Sequence, residues 1–294
     1  MSYILDTSAL RELNVIEAER ASSILDIQVP TIAVLEVLDD FKKNMDARTF
    51  GRQRSHILKA SKFKILDDPD WYLYKNGSIP GVSNDKGEDK SIIEGFIKLI
   101  SSYTWNDNEN APQSINEQIK FDWGFCEKVK ELLDKDKHEY IKKIRGMWNK
   151  NPLNFHNNSE RKLTNELYFS VLNSAARSQT KRKIRNNFES DFAFYVGYIA
   201  FCLIKYGKEY GKEIPIEKLG SMDGNDYIDS MMFKYISLRK NNKLVTSDGK
   251  TLASFKRISE ILSCSGIRRF EILSRKNFFI STKDFRMLIH DKKL

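Results

Sequence analysis

Apolar residues along this chain form two stretches of strand-and-helix alternation separated by a long irregular middle. Tyr3-Ile4-Leu5 is a short apolar run followed at once by Asp6, two hydroxyl residues and helix formers, the pattern of a strand that turns into a helix. A helix is expected around residues 16–26. "IQVPTIAVLEVLDDFKK" then reads as a strand ending at Val29 or Pro30, with Thr31 as the cap of a helix that runs from Ile32. A third strand is expected within "FKILDD", residues 63–68. Beyond it the alternation stops. Loops rich in Gly, Asn and Pro at 77–89 and 105–116 punctuate helical patterns at 90–103, 116–146 and 159–176. Alternation resumes with an apolar helix over 190–210, a helical "DYIDSMMFKYISL", a turn at "NNK", a strand "LVTSD", a helix "TLASFKRISEIL" and a last strand in "RRFEIL", 268–273. There is no internal repeat, heptad run or low-complexity tract.

This order predicts an α/β fold with a mostly parallel central sheet, made from a discontinuous domain of residues 1–68 and 190–294. Residues 69–189 are expected to be a mainly helical insertion, basic in its second half. In open parallel sheets the carboxyl ends of strands form the crevice where ligands bind. Asp6 and Asp248 each stand at such an end, so they can be neighbours although 242 positions apart. A purely structural role is also open to Asp6, because Asp is a favoured helix cap.

Composition changes this picture mainly through charge. With 294 residues, 40% hydrophobic and 30% charged, the chain has ample core for a globular domain. The longest apolar run, "FAFYVGYIAFCLI" at 192–204, is 13 residues, short of the roughly 20 that span a bilayer, so no membrane association is expected. Cys126, Cys202 and Cys264 are far apart with no CxxC pair, and no basic-apolar leader opens the chain, which together suit a cytoplasmic protein. The formal charge is +9, but Lys and Arg against Asp and Glu stand at 10 to 11 in residues 1–68 and at 19 to 12 in 190–294. Between 137 and 185, 12 basic residues face only Glu139, Glu160 and Glu166. That stretch ends in "RSQTKRKIRNN", whose Arg177, Lys181, Arg182, Lys183 and Arg185 are expected to guide nucleic acid. The competing reading is a solvated helix face.

Three other chemistries fit less well. "SDGKT", 247–251, contains the Gly-Lys-Thr of a phosphate-binding loop, yet Leu244 stands where that motif needs its first Gly. His56, His138, His156 and His290 form no HxH or HExxH pair, which disfavours a zinc hydrolase. A phosphatase with a strand-end aspartate nucleophile wants a second acid two residues after Asp6, where Ser8 stands.

In "YILDTSAL", "VPTIAVLEVL", "DYIDSMMFKYI" and "KLVTSD", taken in that order, the chain resembles the PIN-domain nucleases. The resemblance covers about 68 residues at the front and about 90 at the back, and not the middle. It implies a PIN-like three-layer sandwich. It also implies that Asp6 is the first metal-binding acid, with Ser8 as the hydroxyl that orients it, and Glu36 the helical acid of the second motif. Asp229 or Asp226 would be the third acid and Asp248 the fourth, with Thr246 supporting the site. Mg²⁺ and Mn²⁺ are hard cations that prefer oxygen donors, so a ring of carboxylates suits either.

What the resemblance implies in function is metal-dependent endonucleolytic hydrolysis of phosphodiester bonds, most commonly in RNA, in settings such as toxin-antitoxin pairs or defence. An inhibitory or targeting protein partner and a homodimer are compatible with it. The contrasting expectation is a catalytically inactive PIN-like module that holds nucleic acid or a protein. The insertion, about 120 residues where compact members have a short helical segment, is the main departure from the family pattern.

Overall fold

The computed structural model describes residues 1–40, 47–81, 85–102, 182–199, 202, 229–263 and 277–291. Strands β1 (Ser2–Leu5), β2 (Asp26–Val29), β3 (Lys64–Ile65), β4 (Asn242–Thr246) and β5 (Phe279–Ser281) form one open sheet in the order β3-β2-β1-β4-β5. Every neighbouring pair in it is parallel. The chain is therefore α/β, with helices flanking the sheet in an arrangement compatible with a three-layer sandwich. Its first half alternates β1, α1 (Thr7–Glu12), α2 (Val15–Ile24), β2, α3 (Thr31–Asp39), α4 (Ala47–Ala60) and β3. There follow α5 (Pro69–Lys75), α6 (Asp85–Ser102), α7 (Arg182–Asp191) and helical residues 193–199. A 3₁₀ turn at Phe233–Tyr235 leads into β4, α8 (Gly249–Ser263), β5 and α9 (Thr282–Asp291).

Parallel strands buried on both faces read as apolar runs rather than alternations. That is why Ile4, Leu5, Val29, Leu244 and Val245 are all buried. On one side Tyr3 lies 5.2 Å from Phe285 of α9. Elsewhere the sheet meets an aromatic cluster in which Phe194 lies 4.8 Å from Phe255 and 5.2 Å from Phe278, and Tyr198 stacks on Phe233 at 4.8 Å. Gly197 permits this packing. A Cβ there would come within 2.6 Å of Ile258 Cγ2 and 3.3 Å of Leu262 Cδ1 on α8.

α5 ends in a Schellman motif, in which Gly77 takes a φ of 67° while the Ser78 and Gly77 amides donate to the Leu73 and Tyr74 carbonyls. Ser78 then donates its hydroxyl to buried Asp191, which also accepts from Ser237 and Arg239. One carboxylate thus ties the end of α5, the end of α7 and the approach to β4 together.

Several details differ from the sequence expectation. Pro30, not Thr31, caps α3, because the Thr31 hydroxyl lies buried 3.4 Å from the Tyr235 hydroxyl instead of turning back to the helix. β4 begins at Asn242, inside the expected turn, since the Asn242 side chain donates to Tyr235 O and is buried. The loop expected over 77–89 ends early, because α6 starts at Asp85. α4 has a clear apolar face in Phe50, Ile57 and Ala60 but was not expected, its many Arg and Ser masking the helical period. The last strand expected at 268–273 and the helices at 116–146 and 159–176 lie outside the described residues; β5, Phe279–Ser281, is a strand that was not expected.

Two glycine substitutions should have opposite signs. Gly197→Ala gains helix propensity but overpacks Ile258, and should destabilise by about 1–2 kcal/mol. Gly95→Ala, on α6 with nothing within 4 Å of the added carbon, should stabilise by about 0.5–1 kcal/mol. Urea denaturation of both variants measures this.

Candidate active site

The site is built on α1, a helix of six residues and too short to persist alone. Its start is fixed by Asp6, whose Oδ1 accepts the Ala9 amide at 2.7 Å. The Asp6 amide itself donates to Val245 O at 3.1 Å, fastening the end of β1 to β4. The last carbonyls of α1 are met by cations from two other helices. Buried Lys59 of α4 donates to Arg11 O at 3.0 Å and Leu13 O at 2.6 Å, and Arg286 of α9 donates to Glu12 O. Burial, with Arg286 nearby, lowers the Lys59 pKa to about 8. α1 is held at both ends, and Thr7, Ser8 and Arg11 project from it at fixed positions.

Ser8 joins the ends of the two central strands. Its Oγ lies 2.7 and 2.9 Å from the two Asp6 carboxylate oxygens, to which it donates, and accepts the Ser247 amide at 2.9 Å. Thr246 Oγ1 lies 3.2 Å from Ser8 Oγ and accepts the Asp248 amide at 3.0 Å. Asp6 therefore serves as helix cap and as a carboxylate held by hydroxyls; the two roles coexist. Its pKa is raised to about 6, by burial above all and by the charge of Glu36 in smaller part, against hydrogen bonds from Thr246, Ala9 and Ser8 that lower it.

Glu36 comes from α3 and accepts the Thr7 hydroxyl at 2.5 Å. Arg11 stands 3.8 Å from Glu36 and 2.6 Å from Asp40, so one guanidinium balances an acid on α3 and the acid at its C-terminal end. Asp248 caps α8, accepting the Lys250 amide at 2.9 Å and the Thr251 hydroxyl at 2.7 Å. Its pKa is lowered: slight burial raises it, but the Thr251 hydroxyl, the Lys250 and Thr251 amides and the Lys250 charge outweigh that.

Asp6, Glu36, Asp229 and Asp248 line one pocket of about 120 Å³, together with Thr7, Ser8, Arg11, Met232, Leu244 and Thr251. It opens between the ends of β1 and β4, where the sheet order reverses direction from β2 to β4, the place expected of a ligand crevice. Asp226 lies outside the described residues, as do Arg177 and Lys181; Arg182, Lys183 and Arg185 belong to α7. Thr7, Arg11 and Thr251 are pocket residues that the sequence reading passed over. A signal for Arg11 was present, because it lies four residues after Thr7 and so on the same face of α1.

The donors are all oxygens, the kind that hard divalent ions take. Among the described residues no group of three or more His, Cys, Asp or Glu is placed where it could hold a metal ion. An open set fits Mg²⁺ in kind, since that ion keeps several waters and is bound through one or two carboxylates plus substrate phosphate. No known protein family, curated protein or solved structure matches the chain.

The raised Asp6 pKa has a consequence for stability. A carboxyl whose folded pKa of about 6 exceeds its ordinary 3.8 favours folding fully below pH 3.8, and that contribution is lost as pH rises through 6. In EDTA, Asp6→Asn should therefore be more stable than the wild type at pH 7.5 by about 1–3 kcal/mol, with the gap closing towards pH 4. Denaturant titrations at the two pH values test the sign.

Proposed function

We propose that this chain is a Mg²⁺- or Mn²⁺-dependent endonuclease of PIN-like architecture that hydrolyses phosphodiester bonds in RNA. The observation that carries the reading is the meeting of Asp6, Glu36, Asp229 and Asp248, drawn from four separate stretches of chain, around one pocket at the strand ends. Carboxylates gathered this way repel one another; the raised pKa of Asp6 comes mainly from burial, with the Glu36 charge adding a smaller part. Such a cluster is unfavourable without a cation and is explained by one.

In this reading Asp6, Glu36, Asp229 and Asp248 would hold the ion. When bound, the ion supplies Lewis acidity at the scissile phosphate and charge compensation at the leaving oxygen. Ser8 and Thr246 orient the Asp6 carboxylate through their hydroxyls, and Thr7 does the same for Glu36. Thr251 and the first amides of α8 hold Asp248 ionised at the pocket rim. Water adds to phosphorus and the ester P–O bond breaks, leaving a phosphomonoester and an alcohol.

Labelled RNA and DNA incubated with the purified protein and Mn²⁺ test the proposal. RNA cleavage should be abolished by EDTA and fall by about 10²–10⁴ in Asp6→Asn or Glu36→Gln. Cleavage that persists in both variants contradicts the assignment. RNA binding without any cleavage would favour a PIN-like binding module instead.

A further inference from the structure

Helix α4, "ARTFGRQRSHILKA", carries four Lys or Arg residues besides His56 and no acid. Two of the four are consumed structurally. Lys59 is buried against the end of α1, and Arg54 donates to the Ile100 and Ser101 carbonyls of α6 at 3.2 and 3.0 Å. Phe50, Gln53, Ile57 and Ala60 are buried, so the opposite face is the one that carries Arg48 and Arg52. Both are exposed, and neither forms a salt bridge with a described acid. Spaced four residues apart, they stand about 6 Å from each other along the helix axis.

This face leads to the pocket. α4 packs against α1 and α3, and its Lys59 donates to Arg11 O at 3.0 Å, so the helix that carries Arg48 and Arg52 abuts the one that carries Arg11. Arg11 lines the pocket, and the nearby Asp40 is already engaged by it. Two exposed arginines thus stand on a helix packed against α1, whose Arg11 sits beside the carboxylates.

We propose that the Arg48–Arg52 face of α4 is a docking ridge for the phosphate backbone of single-stranded RNA, delivering it past Arg11 to the acidic pocket. The inference rests on the nuclease reading and names the substrate's path to that site. One row of cations on one helix face matches one strand rather than a duplex, and charge complementarity selects a polyanion. The carboxylates at the end of the ridge repel a polyanion unless a cation lies between them, so docking and metal binding support each other.

The test measures binding of a short fluorescent single-stranded RNA to the full chain in EDTA, where cleavage cannot interfere. Arg48→Glu/Arg52→Glu should weaken binding by about tenfold or more and flatten the salt dependence of log K by roughly 1.4, two phosphate contacts' worth. Lys256→Glu/Lys283→Glu, which alters net charge equally at exposed positions on α8 and α9, should change binding less than about twofold. Equal weakening by both pairs, unchanged binding in the ridge variant, or displacement of the RNA by polyglutamate at the same charge concentration would overturn the proposal. Failure of the nuclease reading appears elsewhere: a wild-type protein that never cleaves with Mn²⁺, yet loses RNA binding on ridge reversal, keeps the ridge and removes the enzyme.

Discussion

Parallel pairing of β1 with β4 is the constraint from which the rest of the site follows. The register runs from Ser2 opposite Asn242 to Leu5 opposite Val245, so the two strands end together although the chain between them is long. The Asp6 amide bonded to Val245 O continues the ladder by one step beyond β1. From that point the side chains have little choice: Asp6 and Thr246 emerge side by side, and Ser8 on the first turn of α1 reaches across to the Ser247 amide. A shift of one residue would send Asp6 to the other face of the sheet and bury a charge in the apolar layer.

That geometry works against stability. Burying the Asp6 carboxylate beside Glu36 disfavours its charged form, and the surrounding donors offset only part of that cost. Arg11 neutralises Glu36 and Asp40, hydroxyls of Thr7, Ser8, Thr246 and Thr251 supply donors, and the amides at the start of α8 favour the charged form of Asp248. Asp6 remains the unresolved member, with its proton held too tightly for an ordinary aspartate. Compensation elsewhere is visible in the effort spent on α1, where Lys59 and Arg286 are drawn from distant helices to hold one short turn of chain. Sites that must gather like charge are expected to depend on such outside support.

Much of this was legible in the sequence because strand ends announce themselves. Apolar runs closed by an acid and a hydroxyl marked β1 and β4, and the crevice rule for parallel sheets made neighbours of Asp6 and Asp248 before any coordinates. Glu36 was legible as a helical acid on a partly buried face. Arg11 and Thr7 were not, since a lone Arg and Thr on a short helix look like ordinary surface residues until Glu36 and Asp40 are known to face them. α4 was missed because its cations obscure its period, and two of them, Arg48 and Arg52, form the proposed ridge. β5 escaped because three residues, Phe279–Ser281, are too few to show alternation. Asp226 and residues 177–181 of the basic run lie outside the described residues.

In the proposed reading a single divalent ion satisfies carboxylates just after β1, on α3, in the helical residues 229–232 and just after β4. Anomalous scattering from a crystal of the full chain grown with Mn²⁺ addresses this directly. The predicted result is one strong peak among Asp6, Glu36, Asp229 and Asp248, lost in Asp6→Asn crystals. A pocket without a peak at saturating Mn²⁺, or a peak bound by other residues, would contradict it.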